Sequence, residues 1–127
     1  MADRVADAIN KIKTDERIGR AECVLESTKL IRAILDVMKK ESYIQDYEEF
    51  TEGKFRKLKV RLSNRINNIG VIKPRIAVAS REIQGYETRY IPSRDFGILI
   101  LSTSNGLMTN RQAKEKNVGG RLLAYVY

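Results

Sequence analysis

A continuous apolar run of six residues, Phe96–Leu101, sets the first limit on how this 127-residue chain can fold. A run of that length between polar segments is typical of a buried β-strand. No apolar run approaches the roughly 18 residues that a membrane span needs. The charged start at Met1–Arg4 also lacks the apolar stretch of a signal peptide. The length and an apolar fraction of 43% predict one compact domain or two small sub-domains with a genuine core.

The first 66 residues predict an α-β-α-β-β unit, because apolar residues recur first at helical spacing and later in alternation. In the last predicted strand Lys57, Lys59 and Arg61 alternate with apolar residues, so one face is core and the other is basic. That basic face either contacts phosphate or is a solvated face with glutamates opposite. The predicted elements are a helix over 3–13, a strand over 21–26, a helix from Ser27-Thr28 to Lys39-Lys40, and a hairpin of Tyr43–Thr51 and Lys54–Ser63 around Glu52-Gly53.

The segment Asn67–Gly70 predicts a turn-rich break and a boundary between two sub-domains, residues 1–66 and 67–127. The second sub-domain is expected to be β-rich with one short helix, which makes the fold class α+β. Its helix starts at Thr109, where Gln112 three residues later completes a capping box. The predicted elements are a strand over Arg75–Ser80, a loop or short strand over 81–95, a buried strand over Phe96–Leu101, a helix over 109–116 ended by Gly119-Gly120, and a strand over Leu122–Tyr127.

The charge composition predicts a polyanionic partner. The chain holds 24 Lys+Arg against 16 Asp+Glu, a net charge of +8, which favours nucleic acid or anionic lipid over a merely soluble basic surface. Residues 1–66 hold 15 basic and 12 acidic groups, whereas residues 67–127 hold 9 and 4. Phosphate contacts are therefore expected mainly in the second part. The absence of His and the single Cys exclude a Ser-His-Asp triad, His-ligated zinc and a thiolate cage.

The polar segment Ser102–Gly106 lies between a predicted buried strand and the capped helix. Its hydroxyls and amide suit RNA, because 2′-hydroxyls, phosphates and splayed base edges all exchange hydrogen bonds with short polar side chains. Free backbone N–H groups at the helix start, Thr109, favour an anion. The pair Gly119-Gly120 would let another backbone or a phosphate approach closely. The alternative is an ordinary strand-to-helix connection. Nearby cations are Arg111, Lys114 and Lys116.

Four tyrosines lie in the second part, and each could stack on an unpaired base or pack across strands with its hydroxyl in water. Cys23 is expected to be a small buried residue on its strand. Acidic pairs such as Glu48-Glu49 fit a solvated surface better than catalysis. The tyrosines are Tyr86, Tyr90, Tyr125 and Tyr127.

The stretch Gly97–Thr109, with its continuation through Gly119-Gly120 to the closing Leu122–Tyr127, closely resembles the signature of the universal small-subunit ribosomal protein eight family. Ala6–Ile9 and Ser27–Ile31 also fit that family, so the resemblance covers essentially the whole chain. The linker Tyr90–Gly97 resembles the archaeal and eukaryotic branch. Arg121 departs from bacterial members, which often carry an acid there.

The resemblance implies a primary binder of the central domain of small-subunit ribosomal RNA that helps it to fold and assemble. It implies two sub-domains and a monomer within the cytoplasmic ribosome, with neighbouring small-subunit proteins as further partners. No catalytic residue, cofactor, metal or membrane is expected. Taken with the residue patterns, it predicts RNA contacts from Ala2, Asp3, Arg4, Lys29, Ser102, Thr103, Ser104, Asn105, Gly106, Thr109, Lys116, Gly119 and Gly120.

Two other functions stay open at this point. One is an RNA- or DNA-binding module outside the ribosome, or a translational regulator that binds its own messenger. The other is an RNA-modifying enzyme, which the sequence does not favour because it has no glycine-rich cofactor loop and no convincing carboxylate constellation.

Overall fold

A computed structural model describes residues 4–72, 75–93 and 96–127. The chain forms two compact units, Met1–Asn67 and Asn68–Tyr127, and the fold is α+β. No helix in the described ranges is long and apolar enough to cross a membrane.

The first unit has the predicted α-β-α-β-β order. Strand β3 lies between β1 and β2 and is antiparallel to both. Thr28 caps α2, its hydroxyl accepting a hydrogen bond from the Ile31 amide at 3.1 Å. The elements are α1 (Arg4–Arg17), β1 (Glu22–Glu26), α2 (Lys29–Lys40), β2 (Ile44–Glu52) and β3 (Phe55–Leu62).

Helix α1 extends four residues beyond its predicted end. The buried stripe of Ile9 and Ile12 continues through Asp15 and Glu16, which are also buried. A search for apolar periodicity stops at those two charged residues, and the prediction was too short for that reason.

The second unit is built on one antiparallel sheet in the order β4-β8-β6-β7. Strand β8 pairs with β6 along one edge and with β4 and then β5 along the other. A core of Leu99, Leu101 and Leu122 packs with Ile83 and Ala113 of the two helices. The elements are β4 (Ile69–Val71), β5 (Ala77–Val78), a 3-10 turn (Ser80–Glu82), α3 (Ile83–Tyr90), β6 (Ile98–Thr103), β7 (Gly106–Thr109), α4 (Asn110–Lys116) and β8 (Gly120–Val126).

The prediction of a loop or short strand over 81–95 and of one helix in this unit was wrong, because Ile83–Tyr90 forms a helix. Its two buried residues, Ile83 and Glu87, are four apart and lie on one helical face. The second of them is a carboxylate, so the sequence shows no apolar stripe. Residues 94 and 95 lie outside the described ranges.

Three further differences concern turns and strand ends. Ile69–Val71 is a strand rather than part of a break, and it pairs with Val126, Tyr125 and Ala124. The predicted strand Arg75–Ser80 shortens to Ala77–Val78, with residue 74 outside the described ranges. Helix α4 ends at Lys116 and is capped by Asn117, whose φ of 56° is left-handed, so the helix is not ended by Gly119-Gly120. That pair lies just before β8 and at its first residue.

Candidate nucleic-acid interface

The polar segment that the sequence singled out is a β-hairpin between β6 and β7. Thr103 pairs with Gly106, and Ser104 and Asn105 form the turn with both side chains exposed. Gly106 has a φ of 101°, a conformation that favours glycine. Extended geometry thus ends at Thr103, and Ser104 belongs to the turn rather than to the strand face of Ser102.

The Thr103 hydroxyl is used inside the turn. It donates to the Gly106 carbonyl at 2.8 Å and accepts from the Asn105 amide at 3.1 Å. These two bonds hold the tip in one shape. The side chains that the tip presents to solvent are therefore Ser104 and Asn105.

Gly119 and Gly120 let protein backbone approach closely. A β-carbon on Gly119 would lie 2.5 Å from the Val78 carbonyl oxygen, and one on Gly120 would lie 2.4 Å from that of Ser102. Real β-carbons do not come so close to a backbone atom. The two glycines thus allow the start of β8 to pack closely against β5 and β6. An RNA contact by either glycine stays a prediction.

Arg121 lies directly opposite Ser102 across the β6–β8 ladder. Side chains of opposed residues lie on one sheet face, and this is the face away from Leu101 and Leu122 of the core. Ser102 is half-buried, whereas Arg121 is exposed. The register therefore places the Arg121 side chain on the same sheet face as the hydroxyl of Ser102, where the hairpin begins.

Thr109 is buried at the end of β7 and caps α4. Its hydroxyl accepts from the Gln112 amide at 3.2 Å, and the Gln112 side chain accepts from the Thr109 amide at 3.0 Å. The predicted capping box is confirmed. With 2% of its surface exposed, Thr109 holds the helix in place and offers RNA almost no surface.

Charge is distributed differently in the two units. Among the described residues the first unit has six ion pairs, and the second has one, between Lys114 and Glu87 at 2.9 Å. Lys114 is thus neutralised within the protein. The second unit's cations without an ion pair to any described residue are Arg75, Arg81, Arg89, Arg111, Lys116 and Arg121.

The basic face of β3 has acidic neighbours on both sides. Its register places Glu22 and Glu26 of β1, and Asp46 and Glu48 of β2, opposite residues 57–61. Lys57 bonds Glu52 and Lys59 bonds Glu22, each at 3.2 Å. This arrangement favours the solvated face with acids opposite over a phosphate-binding face.

The tyrosines of the second unit stack mainly on one another. The rings of Tyr90 and Tyr125 are 5.6 Å apart, and those of Tyr125 and Tyr127 are 6.3 Å apart. The Arg89 guanidinium lies 5.5 Å from the Tyr86 ring centre. These contacts favour packing across the sheet over stacking on bases.

The predicted contacts of the first unit belong to two helices. Arg4 begins α1 and is exposed, with Glu26 at 3.9 Å, and Lys29 begins α2 and is exposed. Ala2 and Asp3 lie outside the described residues. Within the second unit, Ser102–Gly106, Gly119 and Gly120 come together at one end of the sheet, and Lys116 lies exposed in the last turn of α4.

Sequence reasoning missed two residues of the second unit. Arg121 was noted only as a departure from bacterial proteins, because the β6–β8 register that places it opposite Ser102 is not visible in the sequence. Glu87 was missed because nothing in the sequence pairs it with α4. Only the packing of α3 brings its carboxylate to Asn110 and Lys114.

A basic α+β protein that exposes hydroxyl and amide groups on a hairpin, with a cation opposite Ser102 that pairs with no acid of the described residues, has the features of an RNA-binding protein. Residues 3–127 match the family described as Ribosomal protein S8. The chain is 47% identical to the small ribosomal subunit protein uS8 of Thermoplasma volcanium over 126 residues, 98% of each chain. The corresponding proteins of Thermoplasma acidophilum and Picrophilus torridus are 46% and 45% identical over the same share.

The chain therefore belongs to the ribosomal protein S8 family. Its members are structural proteins, and this chain is not an enzyme. The resemblance that the sequence suggested is thereby confirmed over essentially the full length.

Proposed function

We propose that this chain is a structural constituent of the small ribosomal subunit in the cytoplasm, and that it binds the central domain of the small-subunit ribosomal RNA through the β6–β7 hairpin. The observation that carries the proposal is the exposed pair Ser104 and Asn105 on a turn fixed by Thr103. Family membership and the names of the relatives support the ribosomal role.

The shape of the hairpin suits an irregular RNA. Regular RNA helices hide their base edges in a deep, narrow major groove, so selective proteins read bulges and unpaired bases instead. A two-residue tip with one hydroxyl and one amide is small enough to enter such a place. Its groups can both donate and accept, which suits bases and 2′-hydroxyls alike.

The unpaired cations of the second unit supply the affinity that this selective contact needs. Phosphate contacts contribute most of the binding free energy and set the register, but they carry no sequence information. Arg121 lies opposite Ser102, so one such cation lies beside the selective hairpin. Affinity and selectivity would then come from neighbouring residues of the same sheet.

The test is a footprint of the pure protein on its own full-length small-subunit rRNA, paired with filter binding to the protected fragment and to a scrambled one. We expect protection confined to the central domain and clear preference for that fragment. If roughly 4–6 phosphates are engaged, log K should fall against log salt with a slope of about −3 to −5.

Three results would count against the proposal. Equal binding to cognate and scrambled RNA would favour a general RNA-binding module outside the ribosome. A slope of log K against log salt near zero would contradict the proposed contribution of phosphate contacts to the affinity. Absence of the protein from purified small subunits would contradict the ribosomal role itself.

A further inference from the structure

Glu87 is a buried carboxylate in the middle of the second unit, and its partners bear on the hairpin. Only 2% of its surface is exposed. It accepts hydrogen bonds from the side-chain amide of Asn110 and, through both oxygens, from Lys114 Nζ at 2.9 Å. Its partners lie on α4, one turn apart, whereas Glu87 itself lies on α3.

Asn110 connects Glu87 to the sheet through a second hydrogen bond. Its side-chain oxygen accepts a hydrogen bond from the Leu99 amide of β6 at 3.2 Å. The last pair of the β6–β7 ladder is Ile100 with Thr109, so β7 leaves the sheet one residue before Asn110. The Asn110 side chain thus supplies the acceptor for Leu99 that a longer β7 would have supplied from its backbone.

The two partners of Asn110 define its orientation. A carboxylate can only accept and a backbone amide can only donate, so the NH2 group must face Glu87 and the oxygen must face Leu99. Asn110 is itself 2% exposed, so bulk water has little access to either bond. Removing the acceptor on Glu87 would therefore leave a buried donor unsatisfied and free the amide to rotate.

We propose that Glu87 is a positioning residue for RNA recognition: by holding Asn110 and Lys114 it fixes the point where β7 leaves β6, and through it the position of the hairpin tip. The inference rests on the proposed function. The contact runs from α3 to α4 and on to β6, and the hairpin extends from β6 directly. Glu87 touches no part of the tip and acts through Asn110.

The test compares Glu87→Leu, which removes the acceptor, with Glu87→Gln, whose side-chain oxygen can still accept from Asn110. Gln84→Leu is the matched control, an exposed position on the same helix. Well below the melting temperature of each variant, we expect Glu87→Leu to lose at least about fivefold in affinity for the cognate fragment. Glu87→Gln and Gln84→Leu should stay within about twofold on the cognate fragment. Both Glu87 variants release Lys114 from its ion pair, so each should bind scrambled RNA at least as tightly as the wild type, and the comparison of Glu87→Leu with Glu87→Gln is matched in charge.

Two further readouts separate positioning from a general loss of stability. Hydrogen exchange of the Leu99 amide should accelerate in Glu87→Leu but not in Glu87→Gln, since Glu87→Leu no longer holds the Asn110 oxygen in place as its acceptor. A tip variant, Ser104→Ala with Asn105→Ala, should make the effect of Glu87→Leu on affinity largely disappear, because the two act through one contact. If Glu87→Leu does not fold, Glu87→Ala replaces it. That variant also removes the acceptor for Asn110 and places no bulkier or charged group in the core.

The outcomes are distinct. Normal cognate binding and normal Leu99 exchange in Glu87→Leu, together with weakened binding in the tip variant, would overturn the role of Glu87 alone. Effects of Glu87→Leu and of the tip variant that simply add would also overturn it. A tip variant that binds the cognate fragment normally would instead contradict the proposed function at the hairpin, whatever Glu87 does to Leu99.

Discussion

Gly120 lies directly against the end of β6: a β-carbon on it would be 2.4 Å from the Ser102 carbonyl oxygen and 2.9 Å from Thr103 Cγ2. This contact occurs where β6 enters the polar hairpin. The glycine thus allows β8 to support the two residues from which the tip extends.

Gly120→Ala should therefore destabilise the protein and disturb the hairpin. We expect a loss of about 1–3 kcal/mol in the free energy of unfolding, the usual cost of overpacking, measured by thermal or urea denaturation. Gly85→Ala is the control, because Gly85 lies inside α3 with nothing within 4 Å of an added β-carbon. That change should stabilise by about 0.5–1 kcal/mol. Equal effects of the two changes would contradict the close approach at Gly120.

Ser104→Ala should lower affinity for the cognate RNA fragment by about 1–2 kcal/mol, since a partner group in the complex loses its hydrogen bond. Binding to scrambled RNA should hardly change, and stability should stay within about 0.5 kcal/mol because the side chain is exposed. Filter binding and a thermal melt measure the two effects.

Thr103→Val provides the contrast, because the Thr103 hydroxyl serves the turn and not the solvent. It should destabilise the protein by about 1 kcal/mol through the loss of two hydrogen bonds. Normal cognate binding by Ser104→Ala would show that the tip is only a connection at that position. A large drop in its melting temperature would show a structural role instead.

Arg121→Gln and Lys116→Gln should weaken binding to cognate and to scrambled RNA about equally. Each should also flatten the slope of log K against log salt by roughly one unit or less. Lys29→Gln in the first unit is expected to behave in the same way. The control is Lys59→Gln. Lys59 already forms an ion pair with Glu22 at 3.2 Å, so this substitution should leave the salt slope almost unchanged. Loss of cognate binding alone would mean that the replaced cation reads a base rather than a phosphate.

Cys23 should resist thiol reagents in the folded protein. Burial, and then the hydrogen bond to Asp15, raises the pKa of its thiol to about 12. At pH 8 the reactive thiolate is therefore scarce as well as shielded. We expect labelling with a chromogenic disulfide to be slow in buffer and complete in denaturant, and rapid labelling of the native protein would contradict the burial.

The same raised pKa gives a pH dependence of stability. Below about pH 9 the thiol is protonated in both states, whereas above it the unfolded chain ionises first. The stability that Cys23 contributes should thus fall as the pH rises from about 9 to 12. Denaturation of the wild type and of Cys23→Ala at pH 8 and pH 10.5 should show the wild type losing more.

The first unit was predictable because its elements carry their own signals. The helical spacing of apolar residues, the Thr28 cap and the alternation of Leu58, Val60 and Leu62 are local patterns, and the structure confirms the elements they predict. The end of α1 was not predictable, since Asp15 and Glu16 continue the buried stripe with charged side chains.

The second unit was predictable only in part. The capping box at Thr109 and the buried strand are local signals, and both were found. Helix α3 was not predicted because one of its two buried residues is the carboxylate of Glu87. A carboxylate can be buried there only because Asn110 and Lys114 donate hydrogen bonds to it. Those partners are more than twenty residues away, and no local pattern connects them.

The sequence by itself determined the α+β class, the basic character and the polar segment Ser102–Gly106, because composition and local periodicity can be read residue by residue. Tertiary structure alone decided which of these groups face solvent. In the folded chain the Thr103 hydroxyl bonds within the turn, and Lys114 forms an ion pair with Glu87. The two glycines pack against the backbone of neighbouring strands, and Arg121 lies opposite Ser102. The physical reason is that hydrogen bonds, ion pairs and close approaches depend on strand register and helix packing, which join residues far apart in the chain.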